Sequence, residues 1–303
     1  MGLLPSSIRL FLQLHKNYSF KGPVLTLGNQ EIWASYDDLV AYFAENNIPF
    51  EKPGSITPHT SRLFREDRYL SRIADRFVHA KVLFEMLGMQ EYFDMDKFAS
   101  DSPAILHDLN IPVPKDLQEK FSLILDGGTI EHIFDVRQVM DNVLAMLKPG
   151  GCIVHICSFN MDHGFYAMSP CFYFDFYKAN GFGDFSCFIL QINSGNILKK
   201  YRRKNPVFEY SYGMRLDSMI DHDKQVLVFF AARKLEKTED LVVPIQGVFN
   251  PVTSNKQTQE SFFDTKIPKL LRPITEPFRM PVLRVYAWVN RMNLKNRRRV
   301  RMV

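Results

Sequence analysis

Phe121-Ser122-Leu123-Ile124-Leu125-Asp126-Gly127-Gly128 opens the most regular stretch of this chain, and Lys148-Pro149-Gly150-Gly151-Cys152-Ile153-Val154-His155-Ile156-Cys157 closes it. A short apolar run stopped by glycine reads as a buried strand. Between the two runs, Val136, Val139, Met140, Val143, Leu144 and Leu147 recur at three and four residues, which predicts a helix over 135–147. Lys148 to Gly151 cannot continue that helix, and Cys152 to Cys157 is the next buried strand. A strand, a helix and a second strand joined this closely make a crossover unit of a parallel sheet.

Working outward, Pro23-Val24-Leu25-Thr26-Leu27-Gly28 reads as an earlier buried strand. Residues 35–46 read as a helix with Ser35 at its N-cap. Residues 47–70 are polar and rich in Pro and Gly, so they read as a long loop or insertion. A helix is expected over 71–87 from the stripe Ile73, Phe77, Leu83, Phe84, Leu87, with Gly88 as its stop. Tyr92 to Asp96 and Ala104 to Asp108 read as strands. Later come an aromatic helix near 170–180, a strand near 184–192, polar Ser194 to Asn205, and a strong strand from Gln225 to Ala231. These late strands are expected as antiparallel additions at a sheet edge. Residues 237–280 read as linker. The expected division is 1–234 as one α/β domain, with its insertion near 35–70, and 235–303 as linker and tail.

The chain has 303 residues and a net charge of +5. The charge is uneven. Residues 266–303 hold eleven Lys or Arg against one acid, Glu276, so the rest of the chain is net acidic. A body of that sign counts against a nucleic-acid binder. Cys152, Cys157, Cys171 and Cys187 form no CxxC pair, and His and Cys never cluster at ligand spacing in sequence, so reduced thiols and no metal are expected. No apolar run reaches the ~20 residues of a membrane span, and no secretory signal is read. The expected location is cytoplasmic.

In an open α/β sheet, ligands bind outside the carboxyl ends of the strands, where strand order switches. Gly28-Asn29-Gln30, Asp94 to Asp96, Asp108-Leu109-Asn110 and Asp126 to Thr129 fall there. A carboxylate after the second strand can accept both ribose hydroxyls, and an acid after the third can accept an exocyclic amine. This set suits an adenosine-containing cofactor. The first turn has one glycine rather than GxGxxG, so it lacks a pyrophosphate cradle and argues against NAD or FAD. S-adenosylmethionine carries no phosphate and needs less of that loop.

Residues 23–232 resemble the class I S-adenosylmethionine-dependent methyltransferases. The resemblance rests on Ile124 to Phe134, with Glu131-His132 after the fourth strand, and on Val143 to Gly151, with Leu147-Lys148-Pro149-Gly150-Gly151 before the fifth. His107-Asp108-Leu109-Asn110, His163-Gly164-Phe165-Tyr166 and Ser169-Pro170 look like a bacterial branch of that superfamily. The resemblance implies a doubly wound, Rossmann-like, seven-stranded and mostly parallel sheet. Helices cover both faces, and the last strand is antiparallel. It implies S-adenosylmethionine as cofactor. Gly28 and Gln30 would border its methionine part. Asp96 would hold the ribose hydroxyls, with Asp94 as the alternative. Asp108 would face the adenine amine with Leu109 against the ring, and Asp126, Gly127, Gly128 and Thr129 would line the methyl-transfer face. The family commonly has a glycine-rich first turn with an acid in or before it. This chain has Thr26-Leu27-Gly28-Asn29-Gln30 instead.

Positioning supplies much of the rate of methyl transfer, and a base helps a hydroxyl acceptor. His163, in the loop after the fifth strand, is the leading candidate base or substrate contact; the alternative is a loop-ordering hydrogen bond. His132 is a second candidate, and Tyr166 lies in the same loop as His163. His107 reads as a core histidine. The aromatic run Phe165 to Tyr177 reads as core, or as a substrate wall. Residues 282–303 are apolar and basic with a single Trp288, which fits an anionic membrane surface or a solvated tail. The leading expectation is a methyltransferase acting on a small molecule or glycan precursor. The competing classes are a catalytically degenerate binding or scaffold module and a nucleotide-binding oxidoreductase.

Overall fold

The computed structural model describes residues 2–59, 76–160, 163–192, 205–214, 220, 224–238 and 241–249. The described strands form one eight-stranded sheet in the order β3-β2-β1-β4-β5-β8-β6-β7. They are β1 (Val24–Leu27), β2 (Tyr92–Asp96), β3 (Ile105–Leu106), β4 (Phe121–Asp126), β5 (Leu147–Ser158), β6 (Phe182–Ile192), β7 (Val207–Glu209) and β8 (Gln225–Lys234). The first five pair in parallel, and β8 runs antiparallel to both β5 and β6. This is the expected doubly wound α/β fold with its last strand antiparallel.

Helices α1 (Pro5–Tyr18), α2 (Tyr36–Glu45) and α3 (Ala80–Met86) pack on one face, and α4 (Val136–Met146) and α5 (Pro170–Ala179) on the other. Strand residues alternate between the two cores: Val24, Leu123 and Leu125 face one, and Leu25, Leu27 and Ile124 face the other. Burial on both faces is why these strands read as continuous apolar runs. Ser35 caps α2 as expected, with Asp38 completing a reciprocal capping box.

Three differences from the sequence reading have physical causes. The sheet has eight strands rather than seven, because β7 pairs with β6 at the far edge. As expected, the late strands add antiparallel at one edge of the sheet, with β8 placed between β5 and β6. Of the helix expected over 71–87, residues 71–75 lie outside the described residues, Val78 and His79 are not helical, and α3 spans Ala80–Met86. His79 accepts from Lys81 N as its N-cap, and Val78 bridges to Pro58 and donates to Ala34 O instead of a helical partner. Helix α1 carries no capping side chain, and most of its residues are buried, which blurs the amphipathic pattern. Its C-terminal end is pinned by Arg233, which donates to the Tyr18 carbonyl at 2.7 Å.

Residues 241–249, linker by composition, pack on α5. Val242 N donates to Asn180 Oδ1 at 2.8 Å and Gly247 N to Asp175 Oδ2 at 3.1 Å. The basic tail, including 282–303, lies outside the described residues. No helix among the described residues is long and apolar enough to cross a membrane. All four cysteines are free.

Lys234, only 2% exposed, donates to the carbonyls of Leu144 and Leu147 at 2.7 and 2.9 Å. It thereby satisfies a carbonyl left open in the last turn of α4. Burial lowers its pKa. Lys234→Met should cost about 2 kcal/mol in urea unfolding, because two buried acceptors lose their donor.

Candidate functional site

Strand order reverses between β1 and β4, which sit side by side. The register sets Leu27 beside both Met95 and Asp126, Asp96 beside Leu106, and Asp126 beside His155. The residues after these positions form one rim. A cleft of about 520 Å³ opens there, within the ordinary range for small-molecule sites.

The first turn forms the cleft floor. Gly28 sits at φ +77°, and a Cβ on it would approach Thr129 Oγ1 to 2.9 Å, so a glycine is required. Thr129 donates its hydroxyl to the Leu27 carbonyl at 2.5 Å. The Gln30 amide also donates to that carbonyl and to Thr129 Oγ1. Gln30 is 1% exposed, and its Oε1 has no hydrogen-bond partner. It packs against Gly127, where a Cβ would meet Oε1 at 2.0 Å. The side chain of Gln30 thus ties the ends of β1 and β4 together beneath the cleft.

The acids divide. Asp96 lines the cleft and uses Oδ1 to accept from Phe98 N at 3.0 Å. Asp94 is buried, accepting from Ala104 N at 2.8 Å, and is not among the cleft-lining residues. Asp108 lines the cleft, but both its oxygens are engaged. Oδ1 accepts from the Asn110 backbone and side chain, and Oδ2 pairs with Lys97 Nζ at 2.8 Å. The Lys97 and Asn110 donors bring its carboxyl down to about 2. Lys97 is half-exposed, so this pair is a weak surface bridge that a ligand can displace. Leu109 is buried beside it and lines the same wall. His107, expected in the core, instead lines the cleft with Nε2 at 3.2 Å from the Ile111 carbonyl. β3 ends at Leu106, leaving His107 beyond the strand.

Asp126 lies under the rim, fully buried. Its Oδ1 accepts from Thr129 N at 2.8 Å and Ile130 N at 3.3 Å. Its Oδ2 meets His155 Nδ1 at 2.8 Å and accepts from Cys157 Sγ at 3.2 Å. His155 Nε2 is 2.6 Å from the Tyr177 hydroxyl, and Tyr173 stacks on the imidazole at 4.7 Å. Burial pushes the Asp126 carboxyl up, but His155 and the N–H donors outweigh it, so it stands below the usual range. This network had no counterpart in the sequence reading. Its signal was His155 within the apolar run Cys152 to Cys157, since a histidine buried on both sides needs partners.

Gly128, Thr129 and His132 line the cleft on its far side, whereas Gly127 lies behind Gln30. Glu131 and His132 sit on a 3₁₀ turn, Ile130–His132. Burial, then the charge of Asp126, raises the Glu131 carboxyl to about 7. His163 packs edge-on against His132, with ring centroids 4.9 Å apart. Burial and this neighbouring imidazole lower the pKa of His132. Tyr166 donates its hydroxyl to the Phe134 carbonyl at 2.7 Å, which fixes the loop. Phe134 and Phe165 meet edge to face at 5.7 Å on the rim and are largely exposed, as is Phe98 opposite. The aromatic run therefore splits. Phe165 is wall, while Tyr173, Phe176 and Tyr177 are core.

No protein-family model matches the chain, and no curated protein matches it. Solved structures do. One is a SAM-dependent methyltransferase of Thermotoga maritima, a possible histamine N-methyltransferase, with 14% identity, 75% of this chain and 91% of that one covered, and a TM-score of 0.35. Another is the branched-chain polyamine synthase of Thermus thermophilus, bound to N4-aminopropylspermidine and 5'-methylthioadenosine. It shows 12% identity and a TM-score of 0.38, with 81% of this chain but only 60% of that one covered. A third is the 1,6-didemethyltoxoflavin-N1-methyltransferase of Burkholderia thailandensis, with bound 1,6-didemethyltoxoflavin and S-adenosylhomocysteine, at 11% identity and a TM-score of 0.32. The match covers 76% of this chain and 80% of that one.

Proposed function

We propose that the chain is an S-adenosylmethionine-dependent methyltransferase acting on a small molecule, with a glycan precursor as one such acceptor. The observation that carries this reading is the composition of the cleft at the switch point. Asp96, Asp108 and Leu109 form one end, the Gly28 turn the floor, and exposed aromatics the other end.

The residues fit the cofactor. Asp96 keeps Oδ2 available for ribose hydroxyls, since only Oδ1 is used by Phe98 N. Gln30 lines the cleft floor beside Gly28, where the methionine part of the cofactor would lie. When bound, S-adenosylmethionine supplies an electrophilic methyl group on a sulfonium. The chain then has to orient the acceptor and exclude water. Phe134 and Phe165 present apolar faces for the acceptor, and Tyr166 holds Phe134 in place. His132 lines the cleft and His163, outside its lining, packs against His132, as candidate bases or acceptor contacts. Asp126 and Asp94 support the rim from beneath.

Calorimetry with S-adenosylhomocysteine tests the reading. Binding should be present in the parent chain and weaker by about tenfold or more in Asp96→Ala, where a charge-assisted contact is lost. No binding by the parent, or equal binding by the variant, overturns it.

A second reading is a binding module without turnover. Gln30 fills the first turn, where the resembling family keeps glycines. Cofactor binding with no product across a panel of acceptors favours it. We also propose that the basic tail, 282–303, meets anionic surfaces. Its deletion should leave cofactor binding unchanged and abolish any salt-sensitive binding to anionic vesicles.

A further inference from the structure

We propose that Glu131, His132 and His163 form a divalent-metal site at the acceptor end of the cleft. Each offers one ligand atom, and these atoms all lie within 4.8 Å of one another. Two imidazoles and one carboxylate suit a first-row transition ion such as Mn²⁺, Fe²⁺, Co²⁺ or Zn²⁺. Bonds of about 2.1 Å bring such ligands to about 3–3.5 Å apart. His132 is exposed, so rotation of its ring closes the difference.

A second observation is independent of the clustering. Glu131 is 0% exposed. Its Oε1 accepts from Ser158 N at 3.3 Å, but its Oε2 is buried with no hydrogen-bond partner. A buried carboxylate oxygen left without a donor is costly, and a cation on that side satisfies it. The other three-ligand group among the described residues, Asp126, His155 and Cys157, is different. There both histidine nitrogens are already taken, by Asp126 and Tyr177.

The ligands are also held in place. Asp126 Oδ1 fixes the start of the 3₁₀ turn that carries Glu131 and His132. Phe165 N donates to the Glu131 carbonyl at 2.7 Å, which ties the His163 loop to the same turn. Three protein ligands leave positions open. His132 lines the cleft, so those positions face the acceptor. The acceptor class this selects is a small molecule with two neighbouring oxygens, such as a vicinal diol or a hydroxy acid, held by the ion through both. This last step rests on the methyltransferase reading; the metal site does not.

The test is Mn²⁺ titration of the chelator-treated full chain, followed by loss of the free-ion electron paramagnetic resonance signal. One equivalent should bind to the parent. His132→Ala, at an exposed position, and Glu131→Gln, which keeps the Ser158 contact through its amide oxygen, should each weaken uptake about tenfold or more. Far-ultraviolet circular dichroism and the thermal unfolding midpoint of both variants should match the parent, showing an intact fold. No stoichiometric uptake by the parent, or equal uptake by both variants, overturns the site. Mn²⁺ uptake that obeys the variants in a chain that does not bind S-adenosylhomocysteine upholds the site and overturns the methyltransferase reading instead.

Discussion

Asp126→Ala is expected to lower the unfolding free energy by about 3 kcal/mol or more, because several buried donors lose their acceptor at once. Urea unfolding followed by circular dichroism checks it. Asp126 has four partners, and all of them lose it together. Two are backbone N–H groups, one of them fully buried, and the third is a histidine with no exposure. The penalty is therefore that of orphaned buried donors rather than of four modest bonds. Asp126→Asn should recover part of the loss, because its amide oxygen still accepts from Thr129 and Ile130. A loss below about 1 kcal/mol in the alanine variant would mean that the buried network carries no net stability.

Gly164→Ala is the second large effect, expected at about 3 kcal/mol. The residue sits at φ +76°, which costs an alanine about 1–2 kcal/mol. An alanine Cβ would also come to 2.6 Å from the Glu131 carbonyl oxygen, and that atom is backbone and cannot swing away. The same carbonyl accepts from Phe165 N, so the loop must leave the turn it is stitched to. Thermal unfolding reads the stability loss. Fluorescence-monitored acceptor or Mn²⁺ binding should fall with it, while Gly150→Ala, also at positive φ but with open space around it, should lose stability without touching the cleft.

The central crossover unit was legible because its residues obey one period at a time. Val136 to Leu147 follow the helical repeat, and the flanking strands are apolar throughout because both their faces are covered. The strand-end acids were legible as a set but not as individuals. Asp94, Asp96, Asp108 and Asp126 all follow apolar runs, and nothing local distinguishes the one that lines a cleft from the one that turns inward. Asp126 turns inward because His155 stands beside it in register, a fact of strand pairing twenty-nine positions away. His107 shows the reverse error, since the strand stops one residue short of it. Glu131, His132 and His163 escaped any spacing rule because the third ligand is brought in by the loop after β5. Helix α1 escaped because a helix packed on most sides has no polar face to set its phase.

The place of β8 carries a consequence for synthesis. Its neighbours, β5 and β6, both emerge from the ribosome before it, and neither can pair with the other while its slot is vacant. Until Lys234 is available, the nascent chain presents two long apolar strands with open edges. The middle of the sheet is therefore its last part to close, and chains ending before Gln225 should be substrates for chaperones and proteases rather than smaller folded domains.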